Sequence, residues 1–173
     1  MMMKILEAGG LSPLVDNIRT ADEDNPKGYY EFEQVKKLRE GDIEWLAAAQ
    51  GKVVKVIATL LPHLPANYAY QIIFMRREMP EILASQRKML INRGEDPDKM
   101  DDAQIGKLFE KHLAEVNRWI DNQPNAKRLE VNYNRMLENP DPQIEQINRF
   151  LGNGLDVEKM IRVVDPDLYR QRR

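Results

Sequence analysis

The chain has 173 residues, 42% hydrophobic and 31% charged, which suits one globular domain with its own core and argues against disorder. Its 26 basic and 28 acidic residues leave a net charge of −2, which speaks against a broad nucleic-acid-binding or membrane-binding surface. The absence of cysteine rules out disulfides and thiolate metal sites and suits a reducing, cytoplasmic setting.

Met1 to Ala8 reads as a short helix stopped by Gly9-Gly10; with no long apolar core after its basic residue, it is not a secretory signal. Pro13-Leu14-Val15 reads as a short strand, and residues 20–28 as an acidic, turn-rich loop. Helical sequence is expected over 31–39 and 43–50, up to Gly51. Val53-Val54-Lys55-Val56-Ile57 is β-branched and bounded by Gly51, Pro62 and Pro65, the pattern of a buried strand. Tyr70 to Met75 is a second strand, and Pro80 sits where a first helical turn accepts it, opening a helix that runs to about residue 92.

Between 102 and 121, Ile105, Leu108, Phe109, Leu113, Val116 and Ile120 form one apolar stripe, the clearest helix in the chain. Leu129 to Tyr133 is a third strand, and Ile144, Ile147, Phe150 and Leu151 mark a last strong helix ended at Gly152. Trp45 and Trp119 fall at apolar helical positions and read as core. No apolar run reaches the ~20 residues of a membrane span. Strands alternating with helices predict an α/β fold, with a parallel sheet covered on both faces in three layers and a single domain over 1–173. Ligands of such folds sit at the carboxyl ends of the strands, which directs attention to the residues after Ile57, Met75 and Tyr133.

There, a strand ends in Arg76-Arg77, a helix opens at Pro80, and Ser85 follows eight residues after Arg77. Cationic side chains beside a helix N-terminus can hold a phosphate, and a serine on that helix can add a hydroxyl. The same residues suit a solvated dibasic turn with a surface serine equally well. Glu31 follows two aromatic residues and is a candidate general base, with Glu33 second; it equally suits the polar first turn of a helix. His63, between prolines, reads as a loop residue, and His112, beside Phe109 and Leu113, as a packing or surface residue; neither has metal-ligand spacing. Asp22-Glu23-Asp24 reads as solvated loop charge.

The spacing of Arg77 and Ser85 resembles the 3′-phosphate-binding motif of the sulfotransferases that use 3′-phosphoadenosine-5′-phosphosulfate. Val131 to Pro140, followed by Phe150-Leu151-Gly152, resembles that family's strand, "Y-E-D-L" turn, proline-started helix and "F-L-G" ending. Asn25-Pro26-Lys27-Gly28-Tyr29-Tyr30-Glu31 resembles an "N-P-x-G-aromatic-aromatic-E" segment of bacterial members, and Asp165 to Arg172 resembles their basic C-terminal ending. The resemblance implies a P-loop NTPase-like fold and sulfuryl transfer from that nucleotide, as co-substrate, to a small-molecule hydroxyl or amine acceptor. It implies that Arg77, Ser85, Arg76 and Arg170 bind the nucleotide, with Glu31 as base and no metal, nucleic acid or membrane partner; a homo-oligomer stays open.

The chain departs from the family in one respect. The family's first strand and its phosphosulfate loop, of the type "G-x-P-R-S-G-T-S/T", have no counterpart in the 173 residues, which begin with the helix that would follow them. The expectation is an N-terminally truncated, inactive enzyme, or alternatively a non-catalytic remnant or interaction module that binds adenosine 3′,5′-bisphosphate. Lys55 stands where some members place a lysine near the sulfate, but Ile57 takes the position of their catalytic histidine. The acceptor loops would lie near 16–30 and 92–103.

Overall fold

The computed structural model describes residues 1–16, 18, 29–92, 94–97 and 101–165. Seven α-helices and two strands occur among them: α1 (Met2–Ala8), α2 (Leu46–Ala49), β1 (Tyr70–Arg76), α3 (Met79–Asn92), α4 (Asp102–Asp121), β2 (Ala126–Asn132), α5 (Tyr133–Glu138), α6 (Pro140–Phe150) and α7 (Val157–Arg162). Two 3-10 helices, Glu33–Glu40 and Ala58–His63, complete the regular structure. The strands form a parallel pair in the register Tyr70↔Ala126 to Arg76↔Asn132, so both end at the same edge.

The α/β class is as expected, but the sheet among the described residues has two strands rather than three. Val53 to Ile57 is the strand that fails to form. Only Val53 pairs, as a single parallel bridge to Pro13, with Leu14 N–H donating to the Val53 carbonyl at 2.9 Å. Pro13-Leu14-Val15 is likewise reduced to that bridge. The β-branched run still buries side chains, Val53 in one core cluster and Val54 and Val56 in another. It lies extended without a ladder because a strand needs a paired neighbour, and β1 pairs with β2 instead. Residues 31–39 are also not an α-helix: a 3-10 helix covers Glu33–Glu40, ended by Gly41 at φ 82°. The helix expected over 43–50 shrinks to Leu46–Ala49.

Each sheet face packs against a different set of helices. Ile73 and Met75 of β1, with Leu129 and Val131 of β2, join Ile5, Met136, Ile144, Ile147 and Met160 in the largest cluster. Ile72 and Phe74, one residue out of phase, instead meet Leu61, Val116 and Ile120 of the second 3-10 helix and α4. The alternation follows from the two-residue period of a strand. A third cluster gathers Val35, Leu38, Trp45, Leu46 and Leu60, where the Phe32 and Trp45 rings meet edge-on at 5.5 Å. Trp45 is buried as expected, and Trp119 packs against the α4 cluster.

The junction of α1 with α7 is close. The backbone N–H of Asp156 donates to the Gly9 carbonyl at 3.1 Å, drawing α7 onto the end of α1. A Cβ at Gly9 would lie 2.8 Å from Met160 Sδ and 2.9 Å from its Cγ, and Met160 is fully buried. We therefore expect Gly9→Ala to destabilise the fold by about 1–3 kcal/mol through overpacking. In a Met160→Ala background the same change should be close to neutral. Denaturant titrations of the four proteins check this; equal costs in both backgrounds would show that the contact is not the cause.

Candidate functional site

Because β1 and β2 are parallel and in register to their ends, the residues just beyond them emerge side by side. Arg77 leaves β1 and Tyr133 leaves β2, and the Arg77 guanidinium lies 4.9 Å from the centre of the Tyr133 ring. Arg77 Nε donates to Glu81 Oε2 at 2.8 Å, four residues on in the first turn of α3. The other oxygen of that carboxylate, Oε1, accepts from Asn134 Nδ2 at 2.7 Å. Glu81 is the one buried charged side chain among the described residues, 8% exposed. A buried carboxylate is tolerated when a cation and further donors satisfy it, which Arg77 and Asn134 do here. Its place in the first turn of a helix adds the favourable end of the peptide dipoles.

The guanidinium of Arg77 is thus held along one edge and one face. Its two terminal nitrogens make no hydrogen bond to the described residues, and the side chain is 26% exposed. Ser85 lies one helical turn beyond Glu81, on the same side of α3, and is exposed. Burial pushes the Tyr133 hydroxyl above its usual range; the Arg77 charge opposes this and the Glu81 charge reinforces it.

Arg76 departs from the expectation that it joins Arg77. As the last residue of β1 it shares a face with Phe74, and its guanidinium lies 5.0 Å from that ring. Arg76 Nη2 bonds Glu130 Oε1 at 2.9 Å, and that pairing, opposed by burial, keeps the Glu130 carboxyl below its usual range. The dibasic pair is split between two faces, because neighbouring residues of an extended chain point in opposite directions. Arg170 lies outside the described residues, as do residues 19–28, which carry most of the asparagine-proline-glycine segment.

A second polar group surrounds Glu31. Its carboxylate faces Lys55 Nζ at 3.4 Å, and the same ammonium donates to the Tyr29 carbonyl at 3.3 Å. Tyr30 between them has φ 49°, a left-handed conformation that a bulky residue seldom takes. Its hydroxyl donates to the Glu7 carboxylate at the end of α1. Asp16 fastens the segment from a third side: its N–H donates to the Glu31 carbonyl at 3.3 Å and its Oδ2 accepts from the Glu33 N–H at 2.5 Å. That bond and a second from the Ile18 N–H hold the Asp16 carboxyl below its usual range. Glu33 itself pairs with Lys36 at 2.6 Å, which fits a helix-start role rather than that of a base. Ile57, two residues beyond Lys55, is 58% exposed.

A half-open cavity of about 550 Å³ lies between α3 and α4, walled by Leu90, Ile105, Leu108 and Phe109, with Glu95 and His112 adding polar groups. His112 therefore lines a cavity as well as packing beside Phe109, while His63 is exposed on the second 3-10 helix. No group of three or more histidine or acidic side chains suited to a metal occurs among the described residues. No helix among them is long and apolar enough to cross a membrane.

Sequence reading missed Glu81 as the partner of Arg77, although their i, i+4 spacing signals it. Asn134 carried no such signal, being 53 residues away from Glu81 in sequence.

The Tyr30–Glu7 contact has a measurable signature. Burial, then the bond and charge of Glu7, push the Tyr30 hydroxyl up to about 12. Neutral tyrosine is the folded form, so its contribution to stability is present below pH ~10 and is lost as the pH rises through 12. Burial pushes the Tyr70 hydroxyl up to about 12 as well, so ultraviolet titration should show one fewer tyrosine ionising near pH 12 in Tyr30→Phe, and one shifted downward in Glu7→Gln. An unshifted transition in Glu7→Gln would remove that carboxylate as a cause.

Comparison with protein families matches residues 46–167 to the sulfotransferase domain, a segment that runs from α2 through both strands and α3 to α7. Neither a curated protein nor a solved structure matches the chain. The matched segment covers well over half of the sequence and contains both strand ends, Arg77 and Ser85, and on that basis the chain belongs to the sulfotransferase domain family.

Proposed function

We propose that this chain takes part in sulfuryl transfer from 3′-phosphoadenosine-5′-phosphosulfate to a hydroxyl or amine acceptor, and that Arg77 and Ser85 hold the nucleotide's 3′-phosphate. The observation that carries the reading is the Arg77 guanidinium, fixed at Nε and over the Tyr133 ring, with neither terminal nitrogen bonded to a described residue and an exposed serine on the next helix. A planar fork with two free donors fits a phosphate, and Ser85 can supply a third hydrogen bond.

The transfer breaks the S–O bond to the 5′-phosphate, forms one to the acceptor oxygen or nitrogen, and releases adenosine 3′,5′-bisphosphate. The acceptor's proton goes to Glu31, whose carboxylate Lys55 faces and the Tyr30 turn orients. On this reading Lys55, whose ammonium faces Glu31, offsets charge on the sulfuryl oxygens. Ile57 leaves no histidine to perform either role at that position. The α3–α4 cavity, beside the loop at 94–97, supports an acceptor with an apolar body. The segment as a whole supports a P-loop NTPase-like arrangement in which the helices on the two sheet faces form outer layers.

Arg77 and Ser85 address only the 3′-phosphate. The 173 residues contain no glycine-rich loop for the phosphosulfate end, and loss of a single preorganised donor typically lowers a rate by ~10²–10³. We propose that the chain as given binds the nucleotide but turns it over slowly. The same sequence feature favours a second reading, a non-catalytic module that binds adenosine 3′,5′-bisphosphate.

Calorimetric titration with adenosine 3′,5′-bisphosphate tests the shared core of both readings. Arg77→Ala should weaken binding by roughly 10- to 100-fold, the size of a lost charge-assisted hydrogen bond, and Ser85→Ala by less. Unchanged affinity in Arg77→Ala would remove the proposed phosphate site. Transfer of radiolabelled sulfate to phenols, alcohols and amines separates the two readings, since only the enzyme loses activity on Glu31→Gln.

A further inference from the structure

Glu81 is a negative charge in direct contact with the cation that, on the reading above, binds a phosphate. By Coulomb's law alone it should weaken anion binding at Arg77. Yet it is buried and bonded at both oxygens, one to Arg77 Nε at 2.8 Å and the other to Asn134 Nδ2 at 2.7 Å. An arginine side chain has several rotatable bonds, and unrestrained it presents its five donors in many directions. Here the Glu81 carboxylate takes the Nε edge and the Tyr133 ring takes a face, so the terminal nitrogens are left as the accessible fork. The carboxylate also ties the two strand ends together, since Arg77 follows β1 and Asn134 follows β2.

We propose that Glu81 is the positioning residue of the phosphate site and sets the selectivity of the chain for nucleotides that carry a 3′-phosphate. The inference rests on the assignment of Arg77 to that phosphate. Orientation and charge make opposite predictions for Glu81, which makes the inference testable. If orientation dominates, neutralising Glu81 lowers the preference for a 3′-phosphate. If charge dominates, the same change raises it.

Glu81→Gln is the discriminating variant. Glutamine keeps the length of the side chain but has one acceptor oxygen where the carboxylate has two. It can satisfy Arg77 or Asn134, and its amide then faces the other as donor against donor. Affinities for adenosine 3′,5′-bisphosphate and adenosine 5′-monophosphate are measured for the whole chain, with thermal unfolding as a check on folding. The two ligands share base, ribose and 5′-phosphate, so their affinity ratio isolates the 3′-phosphate.

Wild type should prefer the bisphosphate, and Glu81→Gln should reduce that preference on the order of tenfold while monophosphate affinity holds. Arg77→Lys, which keeps the charge but loses the fork, should do the same and serves if Glu81→Gln does not fold. Glu81→Gln with an unchanged or larger preference overturns the positioning role, as does Arg77→Lys with full preference. Equal affinities for the two ligands in wild type would overturn the phosphate assignment itself, and the inference with it.

Discussion

The site depends on one buried ion pair. Arg77 leaves β1, Glu81 stands in the first turn of α3, and their contact at 2.8 Å fixes the angle at which the chain turns from strand to helix. Removing Arg77 would leave the buried carboxylate without its cation, a loss that usually costs several kcal/mol. Without Glu81 the guanidinium would lie over Tyr133 with nothing to set its rotation. Each partner is tolerable because of the other, and both are held by the parallel register that brings the ends of β1 and β2 to one edge.

The second polar group is built on a different economy of contacts. Glu7 and Lys55 are exposed and Glu31, Tyr30 and Asp16 half-buried, and an ion pair as open to water as that of Lys55 with Glu31 contributes little to stability. The left-handed backbone at Tyr30 is held by contacts from α1, Asp16 and Lys55 to the residues around it. The fold's stability comes instead from the three apolar clusters, the largest of which joins α1, α5, α6 and α7 to one face of the strands.

Much of this was legible in the sequence, and the failures have physical causes. The apolar stripe of α4 and the strand at 70–76 declared themselves by periodicity and composition, and α3 by Pro80. The run Val53 to Ile57 has the composition of a strand, but composition cannot report whether a neighbour is present to complete a ladder. Two short helices were overlooked. α5 starts at Tyr133, assigned to a strand, with Asn132 capping the Arg135 N–H at 3.0 Å; α7 starts after Asp156, which caps the Lys159 N–H at 3.1 Å. Both caps were readable as a polar residue three positions before the amide it accepts from. In the candidate site, Arg77, Ser85 and Glu31 could be named from the sequence as candidates, while the divergence of Arg76 and the contacts of Tyr133 and Asn134 depend on the pairing of strands more than fifty residues apart.

The most direct test of the account is a crystal structure of the chain with adenosine 3′,5′-bisphosphate. The account predicts the 3′-phosphate within about 3 Å of the terminal nitrogens of Arg77 and of the Ser85 hydroxyl. It also predicts that Arg77 Nε stays on Glu81 at about 2.8 Å. A phosphate bound elsewhere, or an Arg77 that leaves Glu81 to reach it, would contradict the claim that the ion pair prepares the site.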